Sequence, residues 1–270
     1  MSKKASNPIG IFDSGIGGLT VAKAVKNCLP NEQLIYFGDT AHLPYGDKST
    51  ASIQAYSIKI ADVLLRSDCK LILIACNSAS TAAFELVKAY VASKGIVFNV
   101  IDPVVDYLRE NHAGKKVGLI GTKQTVHSGI YQQKVDALDE NIELVSLATP
   151  LLVPMIEEGF HKNEVSQTII KSYLDHPNLQ GLNALILGCT HYPLIKNQIG
   201  EYYADTVEII DSSDIVARAT KSFLGFNNLL NRGDKGKDRF LVSDYTVSFE
   251  HATELFFGKE IALEKYPLWE

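Results

Sequence analysis

Short, nearly continuous apolar runs alternate along this chain with longer segments whose apolar positions recur at helical spacing. The short runs fall at 9–12, 33–37, 71–75, 97–101, 116–121, 142–147, 184–187, 207–210 and 240–242, and several stop at Gly, Asp, Asn or Cys. They have strand length and strand composition. Between them, Ile53, Tyr56, Ile60, Val63 and Leu64 share a helical face after the N-cap candidate Ser49, and Val165, Ile169, Ile170, Tyr173 and Leu174 share another after Asn163. A strand that is apolar throughout has no face for water. Alternation with helices therefore predicts parallel sheets covered on both sides, an α/β fold.

The pattern repeats once. Ile9-Gly10-Ile11-Phe12-Asp13-Ser14 resembles Val117-Gly118-Leu119-Ile120-Gly121-Thr122, and Leu71-Ile72-Leu73-Ile74-Ala75-Cys76-Asn77 resembles Ala184-Leu185-Ile186-Leu187-Gly188-Cys189-Thr190. Asp13 to Cys76 is 63 positions and Gly121 to Cys189 is 68, so each half carries a cysteine at the corresponding strand end. Two similar α/β domains are expected, one from 1–101 with 214–270 and the other from 102–213, with the active site in the cleft between them. Past position 213 the pattern predicts a helix, a strand over 237–244 and a helix over 247–257, which complete one of the two units. The polar stretch 227–238 reads as an exposed loop.

Composition narrows the field. With 270 residues, 46% hydrophobic and 21% charged, the chain is an ordinary globular protein with a sizeable core. Its net charge of -5 comes without a basic block, since Asp234 and Asp238 interrupt the densest positive stretch, so neither nucleic acid nor an anionic membrane is an expected partner. The apolar run after Pro8 stops at Asp13, too early for a signal peptide, and no apolar stretch has bilayer length; a cytoplasmic location is expected. Cys28, Cys69, Cys76 and Cys189 show neither CxxC nor zinc spacing, and a reducing compartment disfavours structural disulfides.

Ligands of parallel sheets bind beyond the carboxyl ends of strands. Four loops there are rich in reactive or turn-forming residues: 13–18, 38–46, 76–80 and 188–193. The glycine turn at 15–18 lacks both the dinucleotide and the P-loop spacing. Asp13 and Ser14 either cap the next helix or hold substrate, and Pro44-Tyr45-Gly46 taken alone is ordinary turn chemistry. Cys28 and Cys69 read as small buried hydrophobes. Cys76 and Cys189 are each expected at a helix N-terminus, where free N–H groups lower a thiol pKa, with Asp13 or His191 tuning it further. Two equivalent thiols facing one cleft suit inversion of a stereocentre, which needs a base on one face of a carbon and an acid on the other. The scheme requires no metal, and with no lysine in these loops it implies no pyridoxal phosphate.

The four loops, together with Val153-Pro154-Met155-Ile156-Glu157-Glu158-Gly159, resemble in order those of the glutamate racemases, cofactor-independent members of the aspartate/glutamate racemase superfamily. Gly188-Cys189-Thr190-His191-Tyr192-Pro193 is the most telling, because aspartate racemases differ around their second cysteine. The resemblance implies that Cys76 and Cys189 exchange the α-proton of glutamate, Cys189 taking it from the L- and Cys76 from the D-enantiomer. It also implies that Asp13-Ser14, Tyr45-Gly46, Asn77-Ser78 and Thr190-His191 contact or frame the substrate, Asp13 beside Cys76 and His191 beside Cys189. Glu157 resembles an acidic residue near the histidine in some relatives, with Glu158 an equal candidate. Further implications are a homodimer and a role supplying D-glutamate for peptidoglycan, hence cell-wall biogenesis and cell shape. Ser78 stands where relatives usually have threonine, and His42 lies in a stretch that often carries arginine, which is expected to alter the cleft rim. Some relatives carry an N-terminal extension linked to activation by a cell-wall precursor; only eight residues precede Ile9, so no such control is expected. Rival readings are an aspartate or broad-specificity racemase, a non-catalytic binding protein of the same fold, and cysteine hydrolase or redox chemistry.

Overall fold

In the computed structural model, which describes residues 3–270, every strand pairing is parallel. The strands are β1 (Ile9–Asp13), β2 (Leu34–Gly38), β3 (Leu71–Ile74), β4 (Ile96–Asn99), β5 (Lys116–Gly121), β6 (Glu143–Ala148), β7 (Ala184–Gly188), β8 (Glu208–Asp211), β9 (Arg239–Val242) and β10 (Glu264–Lys265). The helices are α1 (Leu19–Cys28), α2 (Thr50–Arg66), α3 (Asn77–Val91), α4 (Asp102–Asn111), α5 (Lys123–His127), α6 (Ile130–Asp136), α7 (Leu152–Glu157), α8 (Glu164–Leu174), α9 (Lys196–Tyr202), α10 (Ser212–Phe226) and α11 (Val247–Phe257). One sheet runs β10-β9-β2-β1-β3-β4 and the other β6-β5-β7-β8.

The internal repeat is therefore architectural. The order β2-β1-β3-β4 recurs as β6-β5-β7-β8, with Phe12 opposite Ile74 in the first sheet and Ile120 opposite Leu187 in the second. The chain beyond α10 returns to the first sheet, where β9 pairs with β2. Ser49 and Asn163 cap α2 and α8 as their positions predict, the first accepting from Ser52 N–H and the second closing a capping box with Ser166. The pattern does not foretell β10: Glu264 and Lys265 are both exposed and owe their conformation to pairing with β9.

Alternate strand residues enter different cores, which is why the strands are apolar throughout. Ile9, Ile11, Leu71 and Leu73 belong to a buried cluster that continues into Leu119 and Ile186 of the second sheet. Phe12, Phe37, Ile72 and Ile74 pack instead with Ile53, Ile60, Ala79 and Ala83 of α2 and α3. At the amino ends of the strands, the fully buried Lys70 donates to Glu32 at 2.6 Å, to Ala5 O at 2.5 Å and to Leu229 O at 2.8 Å. Asn231 N–H completes the cluster on Glu32 at 2.8 Å. The stretch 227–238 is thus not simply an exposed loop, because Asn231 is buried to satisfy that carboxylate. Among the described residues no helix is long and apolar enough to cross a membrane.

Candidate active site

The carboxyl ends of β1, β2, β3 and β7 converge on one narrow cleft, whose interior volume is about 20 Å³. Ser14, Tyr45, Gly46, Cys76, Asn77 and Ser78 line it from the first sheet, and Glu157, Cys189, Thr190 and His191 from the second. Asp13 alone among the expected residues does not line it. It is fully buried just behind, with Oδ2 accepting from Gly15 N–H at 3.1 Å and Gly18 N–H at 3.0 Å. That carboxylate braces the glycine turn into α1, while its Oδ1 is buried with no hydrogen-bond partner. Burial raises its pKa above the ordinary carboxylate value, against the opposing pull of His191 and the backbone N–H groups of Gly18, Gly15 and Ser14.

Cys76 is the N-cap of α3, its Sγ accepting from Ala79 N–H at 3.4 Å and donating to Ser14 Oγ at 3.7 Å. The position is as expected but the electrostatic consequence is reversed. Burial, then the charge of Asp13, pushes the thiol up to about 12, and the helix N–H and Ser14 only moderate the rise. Cys76 therefore rests as a thiol, a proton donor.

Cys189 departs from expectation in another way, because it heads no helix. It directly follows β7 and precedes a 3-10 turn, Tyr192–Ile195, before α9 begins. Its polar neighbour is His191, whose Nδ1 lies 3.7 Å from Sγ. The other ring nitrogen, Nε2, meets Glu157 Oε1 at 2.9 Å, so of the two adjacent acids it is Glu157 that the ring contacts. Burial alone would pull the imidazole pKa down, but the bonds to Cys189 and Glu157 outweigh it and lift it to about 10. The ring carries its proton at neutral pH, so a cation stands beside the second sulfur. The four cysteines are free thiols.

The remaining residues divide between those aimed at the cleft and those that hold it. Asn77 Oδ1 accepts from Tyr131 at 2.8 Å, which leaves its buried Nδ2 without a partner at the cleft wall. Ser78 Oγ lies 2.8 Å from Thr122 Oγ1, joining the start of α3 to the cap of α5 across the two sheets. Thr122 also lines the cleft and was not anticipated, although the repeat pairs it with Ser14 and so carried the signal. Pro44-Tyr45-Gly46 is more than a turn, since all of it lines the cleft, but the Tyr45 hydroxyl points away and donates to Asp39 at 2.6 Å. His42 does not form the rim: it pairs with Asp39 at 3.1 Å and stacks on Tyr56 with ring centroids 4.1 Å apart.

Comparisons with known proteins agree with this geometry. The sequence profile described as Asp/Glu/Hydantoin racemase matches residues 19–220. A glutamate racemase of Geobacter metallireducens is 39% identical over 254 residues, which span 94% of this chain and 93% of that one. The crystal structure of glutamate racemase from Francisella tularensis in complex with D-glutamate superposes with a TM-score of 0.91 at 38% identity, covering 98% of this chain and 99% of that one. The Thermus thermophilus glutamate racemase in complex with β-chloro-D-alanine gives a TM-score of 0.87 at 38% identity, over 98% of each chain.

Proposed function

The chain belongs to the Asp/Glu/hydantoin racemase family, a family of isomerases, and from that premise we propose that it interconverts L- and D-glutamate by two-base proton transfer without a cofactor. The observation that carries the mechanism is that Cys76 and Cys189, at equivalent strand ends of two repeated sheets, line one cleft in contrasting electrostatic surroundings. Cys189, beside the His191 imidazolium, acts as the thiolate that takes the α-proton of L-glutamate: the C–H bond breaks and an S–H bond forms. Cys76 delivers its thiol proton to the opposite face, forming the new C–H bond of D-glutamate. The reverse reaction exchanges the roles. The free Nδ2 of Asn77, with the hydroxyls of Ser14 and Thr190, supplies donors for the carbanionic carboxylate.

We assign the substrate frame to Ser14, Tyr45, Gly46, Asn77, Ser78, Thr190 and His191, and supporting electrostatics to Asp13 and Glu157. The two sheets are read as two domains, 1–101 with 214–270 and 102–213. A homodimer working in the cytoplasm to supply D-glutamate for peptidoglycan follows from the family likeness.

A glutamate analogue that expels a leaving group after α-deprotonation separates the half-reactions. Either Cys→Ser variant should lose full racemisation, since a hydroxyl is a poor base near neutrality. Cys76→Ser should still eliminate from the L-analogue and Cys189→Ser from the D-analogue. Equal losses for both hands in both variants contradict the mechanism. Efficient turnover of aspartate with none of glutamate overturns the substrate.

A further inference from the structure

Asp39 follows β2 and is fully buried, yet it lines no part of the cleft. Its two oxygens collect donors from separate segments of the chain. Oδ2 accepts from the Tyr45 hydroxyl at 2.6 Å, and Oδ1 from Ser243 Oγ at 2.7 Å and Trp269 Nε1 at 2.8 Å; His42 Nδ1 adds a contact at 3.1 Å to Oδ2. Its own N–H bonds Asp13 O at 3.0 Å, so the cluster is anchored to the end of the central strand. Around it, Ala41 N–H bonds Ser243 Oγ at 3.0 Å and Asp244 N–H bonds Thr40 Oγ1 at 2.9 Å, bolting the start of this loop to the end of β9. Trp269 packs edge-on against His42 and Tyr56, and Tyr56 in turn packs on Tyr45 with ring centroids 5.7 Å apart.

A buried carboxylate with this many donors is an organising group, because losing any donor leaves charge unsolvated. The stretch it organises is a cleft wall. Leu43, Pro44, Tyr45 and Gly46 all face the cleft, and the 3-10 turn Tyr45–Asp47 is too short to hold itself. Since the Tyr45 hydroxyl is committed to Asp39, the wall offers substrate only ring and backbone, whose placement depends on that bond.

We propose that Asp39 is a positioning residue for glutamate racemisation: through Tyr45 it sets the 43–46 wall of the cleft, and it makes that wall depend on the C-terminal Trp269. This rests on the racemase reading above. Trp269→Phe is the test of choice, because it keeps an aromatic ring against His42 and Tyr56, removes the N–H donor to Asp39 and, although it also trims the ring beneath Lys59 Nζ, changes no residue that lines the cleft. A wall that binds substrate equally in ground and transition states affects KM alone, so Trp269→Phe should raise KM for glutamate about threefold to tenfold with kcat within about twofold of wild type. Asp39→Asn and Tyr45→Phe should shift KM the same way and further, if they fold. A KM within about twofold of wild type in Trp269→Phe overturns the proposal, whatever happens to the melting temperature. A second readout needs no turnover: Trp269 is the chain's one tryptophan, so its emission reports on Asp39 directly. Tyr45→Phe should shift that emission; unaltered emission counts against the coupling. A wild-type protein that racemises nothing, but whose emission shifts in Tyr45→Phe, defeats the racemase reading while sustaining the coupling.

Discussion

Adding one methyl group at Gly17 should disable the His191 side of the site while leaving the Cys76 side nearly intact. A Cβ built there lies 2.4 Å from His191 Cε1, 2.5 Å from Nδ1 and 2.8 Å from Thr190 Oγ1. Carbon atoms settle near ~3.5 Å, so the ring must retreat by roughly 1 Å. It has nowhere neutral to go: Glu157 holds Nε2 at 2.9 Å, and Phe256 stands edge-on with ring centroids 5.1 Å apart. Retreat stretches the 3.7 Å contact with Cys189 or breaks the bond to Glu157. A displacement of ~1 Å costs on the order of a hundredfold in rate, and overpacking a buried site costs ~1–3 kcal/mol of stability. Circular dichroism of glutamate follows racemisation, and elimination from each enantiomer of the leaving-group analogue shows which half suffers. The L-analogue, served by Cys189, should slow about a hundredfold, with the D-analogue affected least. Gly225→Ala is the control, since the nearest atom to its Cβ is Leu230 Cδ1 at an ordinary 3.5 Å. Gly17→Ala activity within about threefold of wild type, in a folded protein, would refute the claim that His191 placement is critical.

Three further outcomes are expected. The His191 pKa of about 10 in the fold, against 6.5 when free, means its stabilisation is complete below pH 6.5 and is lost as pH rises toward 10. Thermal melts should therefore decline across that window, and His191→Gln should flatten the decline; identical pH slopes would contradict it. Glu157→Gln removes a contact that raises this pKa, so the alkaline limb of kcat/KM should move to lower pH, with a loss of about tenfold to a hundredfold; an unmoved limb speaks against the pair. Lys70→Met leaves the buried Glu32 carboxylate without its cation and should cost ~3–5 kcal/mol in denaturant melts, whereas Lys70→Met/Glu32→Leu should recover much of it. Both proteins should retain wild-type kcat where folded, because the pair sits at the opposite strand ends from the cleft.

Much of this molecule is legible in order along the chain. Apolar runs of strand length located β1 through β9 to within two residues, since burying both faces of a parallel sheet demands such runs locally. The cysteines at matching points of the repeat point to the cleft, and Ser49 and Asn163 announce their helices by side-chain chemistry that needs no distant partner. Thr122 could have been read from the same repeat. By contrast, β10 and the burial of Asn231 arise only from what β9 and Glu32 offer them.

The sequence by itself thus determined the fold class, the repeat and the pair of thiols that the structure brings to one cleft, because hydrophobic period, caps and loop chemistry act over a few residues. The tertiary structure alone decided what surrounds each of those thiols. Cys76 carries the helix N-terminus expected to acidify it, yet burial with Asp13 close by drives its pKa the other way. Cys189 has no helix and takes its cation from a histidine oriented by Glu157, 34 positions away in the chain. Asp39 becomes an organising group only where the C-terminal tryptophan, 230 positions on, reaches it. Desolvation and charge proximity depend on distance in space, and sequence position does not encode that distance.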